Sequence, residues 1–171
     1  MLANSAIRVM VIGCLIKEAV MQTIKWSEDM TLGVKDMDEA HKVFFEDLSA
    51  LLTMPDDQFP TAFMGLIGKV EKDFREEEDL MEEIDYPGLL GHREQHSRVL
   101  GALHHVAPHV LNGDIALGRE AAELLPQWFL FHLSTMDTAL AFALDTQGAE
   151  INPATIRLAA ERIRQGMDRT T

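Results

Sequence analysis

Apolar residues at Val43, Phe44, Leu48, Leu51 and Leu52 recur at three- and four-residue steps, with charges between them. That is the period of a helix with one buried face. It predicts a first helix that opens near Asp36, capped by Asp36 with Glu39 three residues on, and ends at about Met54 before Pro55-Asp56-Asp57. A second inward stripe, Phe63, Leu66, Ile67, Val70, Phe74 and Met81, predicts a helix from about Pro60 to Ile84. Asp85-Tyr86-Pro87-Gly88 is a turn by composition. A third helix is expected from about Leu89 to Leu111, stopping at Asn112-Gly113. A fourth should run from near Ile115 to about Thr146, with Pro126 bending or breaking it. Asn152-Pro153 supplies a cap and first-turn proline for a short terminal helix over 153–167.

No strand-like alternation occurs, and residues 26–37 hold Trp26 and Gly33 without a sustained period. The expected architecture is all-α: an up-down-up-down four-helix bundle with an N-terminal arm and a short extra C-terminal helix. The bundle is assigned to 21–148 and the terminal helix and tail to 149–171. Residues 1–20 are expected to be an extension or a misassigned start. Met21-Gln22-Thr23-Ile24-Lys25-Trp26 reads as the opening of a domain. Lys17-Glu18 can be encoded by a ribosome-binding sequence at a suitable distance before Met21. An intact mass of protein made from its native upstream DNA should therefore begin at Met21; a mass that includes residues 1–20 refutes this. Val11-Ile12-Gly13-Cys14 loosely resembles a lipoprotein cleavage box, but Arg8 leaves too short an apolar stretch before it, so export is not expected.

Composition narrows the chemistry. With 28 Asp and Glu against 15 Lys and Arg the net charge is −13, which disfavours nucleic acid and anionic membranes as partners. No segment reaches the roughly 18 apolar residues of a membrane span. The single cysteine, Cys14, excludes an intrachain disulfide framework and a thiolate metal site, and fits a reducing cytoplasm.

His92 and His96 are four apart, about 40° around a helix, so both imidazoles face one space. Asp73 and Glu77 share that spacing on the second helix, while His41 and His132 stand singly in apolar patterns on the first and fourth. A lone histidine in such a pattern is more often a satisfied core residue than a ligand. Four helices that each turn imidazole or carboxylate inward make metal the better reading, with iron, manganese or zinc suited to such donors. His105 and His109 fall on the opposite face of the third helix and His104 on its flank, so these three are expected in solvent, as are Glu76 and Asp79.

Several segments together resemble the bacterial hemerythrins, non-haem di-iron proteins that bind dioxygen in a four-helix bundle. They are Trp26, Gly33, Asp38-Glu39-Ala40-His41, Phe74-Arg75-Glu76-Glu77-Glu78-Asp79-Leu80-Met81, Tyr86-Pro87, His92-Arg93-Glu94-Gln95-His96 and Trp128-Phe129-Leu130-Phe131-His132 with Asp137. The resemblance spans residues 26–137. It implies that His92, His96 and His132 hold a coordinatively filled iron and that His41 holds a second iron with an open position. Glu77 and Asp137 would bridge the two alongside an oxo or hydroxo group, and Trp128 and Phe129 would wall the oxygen pocket. Asp137 rests on the resemblance alone, since five residues past His132 is a rotation of about 140° on an α-helix.

The chain departs from the family at Asp73, where the motif has histidine on the second iron. Direct or water-bridged ligation by Asp73 is expected, because an inward carboxylate would otherwise be buried without a partner. A site left short of a ligand and a site converted to another metal are the alternatives. An added anion favours Fe(III) over Fe(II), which implies faster autoxidation than in relatives with the histidine. The function expected is binding of dioxygen or another diatomic ligand by a monomer without turnover. A redox enzyme acting on peroxide, dioxygen or nitric oxide, an iron store, and a bundle with vestigial ligands are the other readings.

Overall fold

The computed structural model describes residues 25–146, so the expectations for 1–20 and for the terminal helix over 153–167 fall outside the described residues. A single 3-10 turn, Glu28–Met30, leads into α1 (Lys35–Leu52), α2 (Phe59–Glu83), α3 (Leu89–Leu111) and α4 (Ile115–His132). A π turn, Leu133–Asp137, then joins α4 to α5 (Thr138–Asp145), which continues in the same direction. No strand forms among the described residues. Each helix packs on the next and α1 on α4, which closes the up-down-up-down ring. No helix in the described residues is long and apolar enough to cross a membrane.

Two expectations about helix ends and breaks are corrected. Asp36 does not cap α1, whose N-cap is Val34 with no side-chain bond. Asp38 acts instead, its carboxylate accepting the N–H groups of Leu32 at 2.7 Å and Gly33 at 3.0 Å. Gly33 sits at φ +84°, the left-handed region that turns the arm into the helix. Nor does Pro126 break α4, which runs through it unbroken. One missing N–H is tolerated because buried Leu125 and Phe129 hold both sides of it in the core. The true irregularity comes seven residues later, where the Thr138 N–H donates to Leu133 O and closes an i→i+5 turn.

The apolar interior is in two parts. The larger includes Phe44, Leu48, Phe63, Ile67, Phe74, Val99, Leu103, Phe129 and Leu133. The smaller comprises Met37, Met81, Tyr86, Leu140 and Ala143. Between them in sequence, on every helix, lie His41, Glu77, His92 with His96, and Asp137. A polar layer therefore divides the core near the end of the bundle where α1 and α3 begin. At the other end Arg119 latches the α1–α2 link, donating to Leu52 O and Met54 O while lying 4.7 Å over the Phe59 ring.

Packing is close at that latched end. A Cβ on Gly118 would lie 2.6 Å from both Phe59 Cε1 and Val110 Cγ2, whereas one on Gly68 would meet nothing within 4 Å. Gly118→Ala should therefore destabilise the fold by about 1–3 kcal/mol. Gly68→Ala should stabilise it by about 0.5–1 kcal/mol. Urea unfolding of both variants checks the pair of signs.

Candidate metal centre

Glu77 of α2, His92 and His96 of α3 and His132 of α4 each place one ligand atom so that all four lie within 4.8 Å of one another. The Nε2 atoms of His92 and His96 stand 2.9 and 3.1 Å from that of His132. Glu77 faces them with Oε1 3.3 Å from His92 and Oε2 3.5 Å from His96. All three imidazoles are 1% exposed.

Asp137 joins this group because of the π turn. An i→i+5 turn sets residues five apart nearly over one another, where an α-helix would leave them about 140° apart. The carboxylate, fully buried, points Oδ1 at His132 (3.0 Å) and His92 (3.2 Å), and Oδ2 at His41 (3.4 Å). Its two oxygens thus face different imidazoles, and His41 on α1 is reached only through the second.

Tautomers decide what these approaches mean. His96 Nδ1 lies 3.1 Å from the Glu78 carboxylate, and His132 Nδ1 lies 3.4 Å from Gln95 Oε1. Both oxygens accept, so the proton sits on Nδ1 and each Nε2 keeps a bare lone pair. Two lone pairs facing each other at 3.1 Å repel unless a cation lies between them. Glu77 Oε1 and both Asp137 oxygens are also buried without a hydrogen bond. Neutral imidazoles and orphaned carboxylate oxygens converging on one space fit a divalent metal, with no thiolate in the set.

Glu78 and Gln95 escaped the sequence reading. Glu78 also accepts from Arg93 Nε at 2.8 Å, and so links the charged surface to the buried ring of His96. Such outer partners orient imidazole ligands and fix their tautomer. A usable signal was present: Glu78 and Arg93 are fifteen apart, the same step that pairs Glu77 with His92 across α2 and α3. The aromatic walls also have defined contacts. Phe74 stacks on His96 at 3.7 Å, Trp128 stacks on His132 at 4.8 Å, and Phe129 sets its edge to His41 at 4.9 Å.

Asp73 stands apart from the close group. It is half-buried and forms no hydrogen bond or ion pair among the described residues, but it lines the same cavity as His41, Glu77, Trp128, Phe129 and Asp137. Part of its carboxylate therefore remains in solvent, and desolvation alone does not require it to ligate. Burial pushes its carboxyl up, with Lys72 opposing and Glu76 adding. His104, His105, His109, Glu76 and Asp79 are all exposed, and His104 pairs with Glu71 at 2.7 Å.

Charge in the polar layer is steeply dependent on burial. Burial, with His132 and His92 beside it, lowers the His96 pKa to about 2, and burial also lowers that of His41 against the pull of Asp137. Burial raises Glu77 well above the ordinary carboxylate range, and Asp137 raises it further. Burial opposes ionisation of Asp137 too, but protons carried toward it by His132, His92 and His41 hold it well below that range, so its charge is tied to theirs.

The two histidine shifts make the metal-free fold acid-sensitive, while the raised Glu77 carboxyl works the other way, because the folded state takes up its proton first. Below the ordinary histidine pKa of 6.5 the unfolded chain protonates His96, while the folded chain resists until about 2. The unfolded state then binds more protons, so stability falls as pH falls through that window. Between about pH 7.5 and about pH 5.5, His96 should cost on the order of 1 kcal/mol, and His41 acts in the same direction. The urea midpoint of chelator-treated Glu77→Gln protein, which lacks the opposing carboxyl, should drop over this range; an unchanged midpoint counts against buried neutral imidazoles.

A bacteriohemerythrin from Ralstonia nicotianae is 35% identical to this chain over 130 residues, which cover 76% of this chain and 95% of that protein. No protein-family model matches the chain, and no solved structure matches it. Identity at this level over nearly the full length of that relative, on a four-helix bundle with a buried imidazole–carboxylate group, shows that the chain belongs to the bacteriohemerythrin family.

Proposed function

We propose that this chain holds two non-haem irons, bridged by an oxo or hydroxo group, and binds dioxygen or another diatomic ligand as a monomer. The observation that carries the reading is the double aim of Asp137, one oxygen toward His92 and His132 and the other toward His41. A carboxylate so placed can serve two metals. His92, His96 and His132 would then hold one iron and His41 the other, with Glu77 and Asp137 shared between them. When bound, the iron pair supplies the electrons exchanged with dioxygen.

The chain's own part is to exclude water and leave room. His41 brings a single imidazole to its side of the centre, and Phe129 and Trp128 line the cavity beside it. Farther in, Val70, Val99, Leu103 and Leu125 make the wall apolar, which suits an uncharged diatomic. Asp73 lies on the same wall and would reach the second iron directly or through a water.

One observation favours a second reading, a redox enzyme. The cavity holds about 600 Å³, within the roughly 300–1,000 Å³ of small-molecule pockets and far larger than a diatomic needs. Catalytic loss of added peroxide would move the weight to that reading.

Metal analysis of the purified chain, with absorption spectra under anaerobic and oxygenated conditions, tests the proposal. Two irons per chain and an oxygen-dependent charge-transfer band are expected; one metal, or zinc, overturns it. Asp73→His should slow the decay of that band, because it removes an anion that favours Fe(III). An identical decay rate in the variant would refute a role for Asp73 in autoxidation.

A further inference from the structure

The cavity beside the centre opens between the start of α1 and the last half of α2, and its mouth is acidic. Asp36 contributes from α1, and Asp73, Glu76, Asp79 and Glu83 from α2. The four on α2 recur at steps of three and four, so they form one stripe along the groove. No lysine or arginine lines the cavity. Lys72 pairs with Glu76 at 2.9 Å, which leaves Asp36, Asp73, Asp79 and Glu83 without an ion pair among the described residues. Surface carboxylates alone would mean only a solvated face. Here the groove ends on two carboxylates of another kind: Asp137, fully buried with both oxygens lacking a hydrogen bond, and Glu77, nine-tenths buried with Oε1 orphaned. Both line the same cavity as the stripe.

We propose that the α1–α2 groove is the uptake path for the metal, its carboxylates drawing a hydrated divalent cation from solvent toward Asp137 and Glu77. The inference rests on the reading of the buried group as a metal centre and adds how the ion gets there. The imidazoles of His92, His96 and His132 are 1% exposed, so a cation cannot meet them from outside without a way in. The groove supplies that way. It concentrates cations by a field of one sign between low-dielectric walls, which raises association rates and makes them sensitive to salt. Half-buried Asp73, one helical turn before Glu77 on the same cavity wall, adds a further carboxylate to exchange for the ion's waters. The residue that departs from the family pattern would then act in loading the site as well as in tuning it.

Cobalt(II) added to chelator-stripped full-length protein, followed by its ligand-field absorption in a stopped-flow instrument, tests this without any redox step. The variant carries Asp36→Asn, Asp79→Asn and Glu83→Gln, three exposed or rim positions outside the candidate ligand set. The control carries Asp57→Asn, Glu120→Gln and Glu123→Gln, the same change of net charge at exposed positions toward the latched end. The rim variant should load about tenfold more slowly and lose much of its salt dependence, while reaching the same final cobalt content. The control should load as the unmutated chain does. Equal rates in rim variant and control overturn the uptake path and leave the metal centre standing; no cobalt uptake by the unmutated chain overturns both. Circular dichroism of each variant confirms that slow loading is not loss of fold.

Discussion

The constraint on which the rest of this structure depends is a polar layer buried inside an apolar bundle. Four imidazoles and two carboxylates occupy a level between two hydrophobic clusters. Unpaired charge at such a depth costs several kcal/mol, and orphaned polar atoms cost about 1–3 kcal/mol each. Facing imidazole lone pairs and orphaned carboxylate oxygens lack partners within the layer, and a divalent cation at its centre would supply the missing one. Both cores flank the layer closely, so the ligand atoms are fixed by packing as much as by their own contacts.

Orientation comes from outside the layer. Glu78 sets the ring of His96, Gln95 that of His132, and Arg93 secures Glu78 in turn. The aromatic faces of Phe74 and Trp128 then leave those rings no freedom to turn. Family membership and this geometry point the same way: one is a matter of aligned sequence, the other of lone pairs with nowhere else to point.

Much of this was legible in the amino-acid order, and the reasons differ from element to element. The 3.6-residue period from Val43 to Met81 and the turn chemistry at Tyr86-Pro87-Gly88 reveal the helices, because both act over a few residues. His92 and His96 declare a common face for the same local reason. Asp137 could not be read that way, since its approach to His132 depends on an i→i+5 turn that no periodic template contains. Pro126 does not interrupt α4, because the burial of Leu125 and Phe129 on either side offsets its local cost. Asp36 and Glu39 had the spacing of a capping box, while the working carboxylate, Asp38, reaches backward to Leu32 and Gly33. Glu78 stayed hidden within a run of four acids, where only a neighbour on α3 distinguishes one carboxylate from the next.

The π turn at Leu133–Asp137 contains one more residue than a regular helix would use over the same length. Everything beyond it, Leu140 and Ala143 included, is therefore rotated by about 100° relative to the frame set by Leu125 and Phe129. The last helix has two phases, and the apolar face of each half is correct only in its own phase. Shortening Leu133–Asp137 by one residue would mend the helix as a helix, yet it would turn Asp137 and the α5 core face away together. Length in this segment is for that reason as fixed as identity: a deletion that looks conservative on an alignment would break the centre and the second core at one stroke.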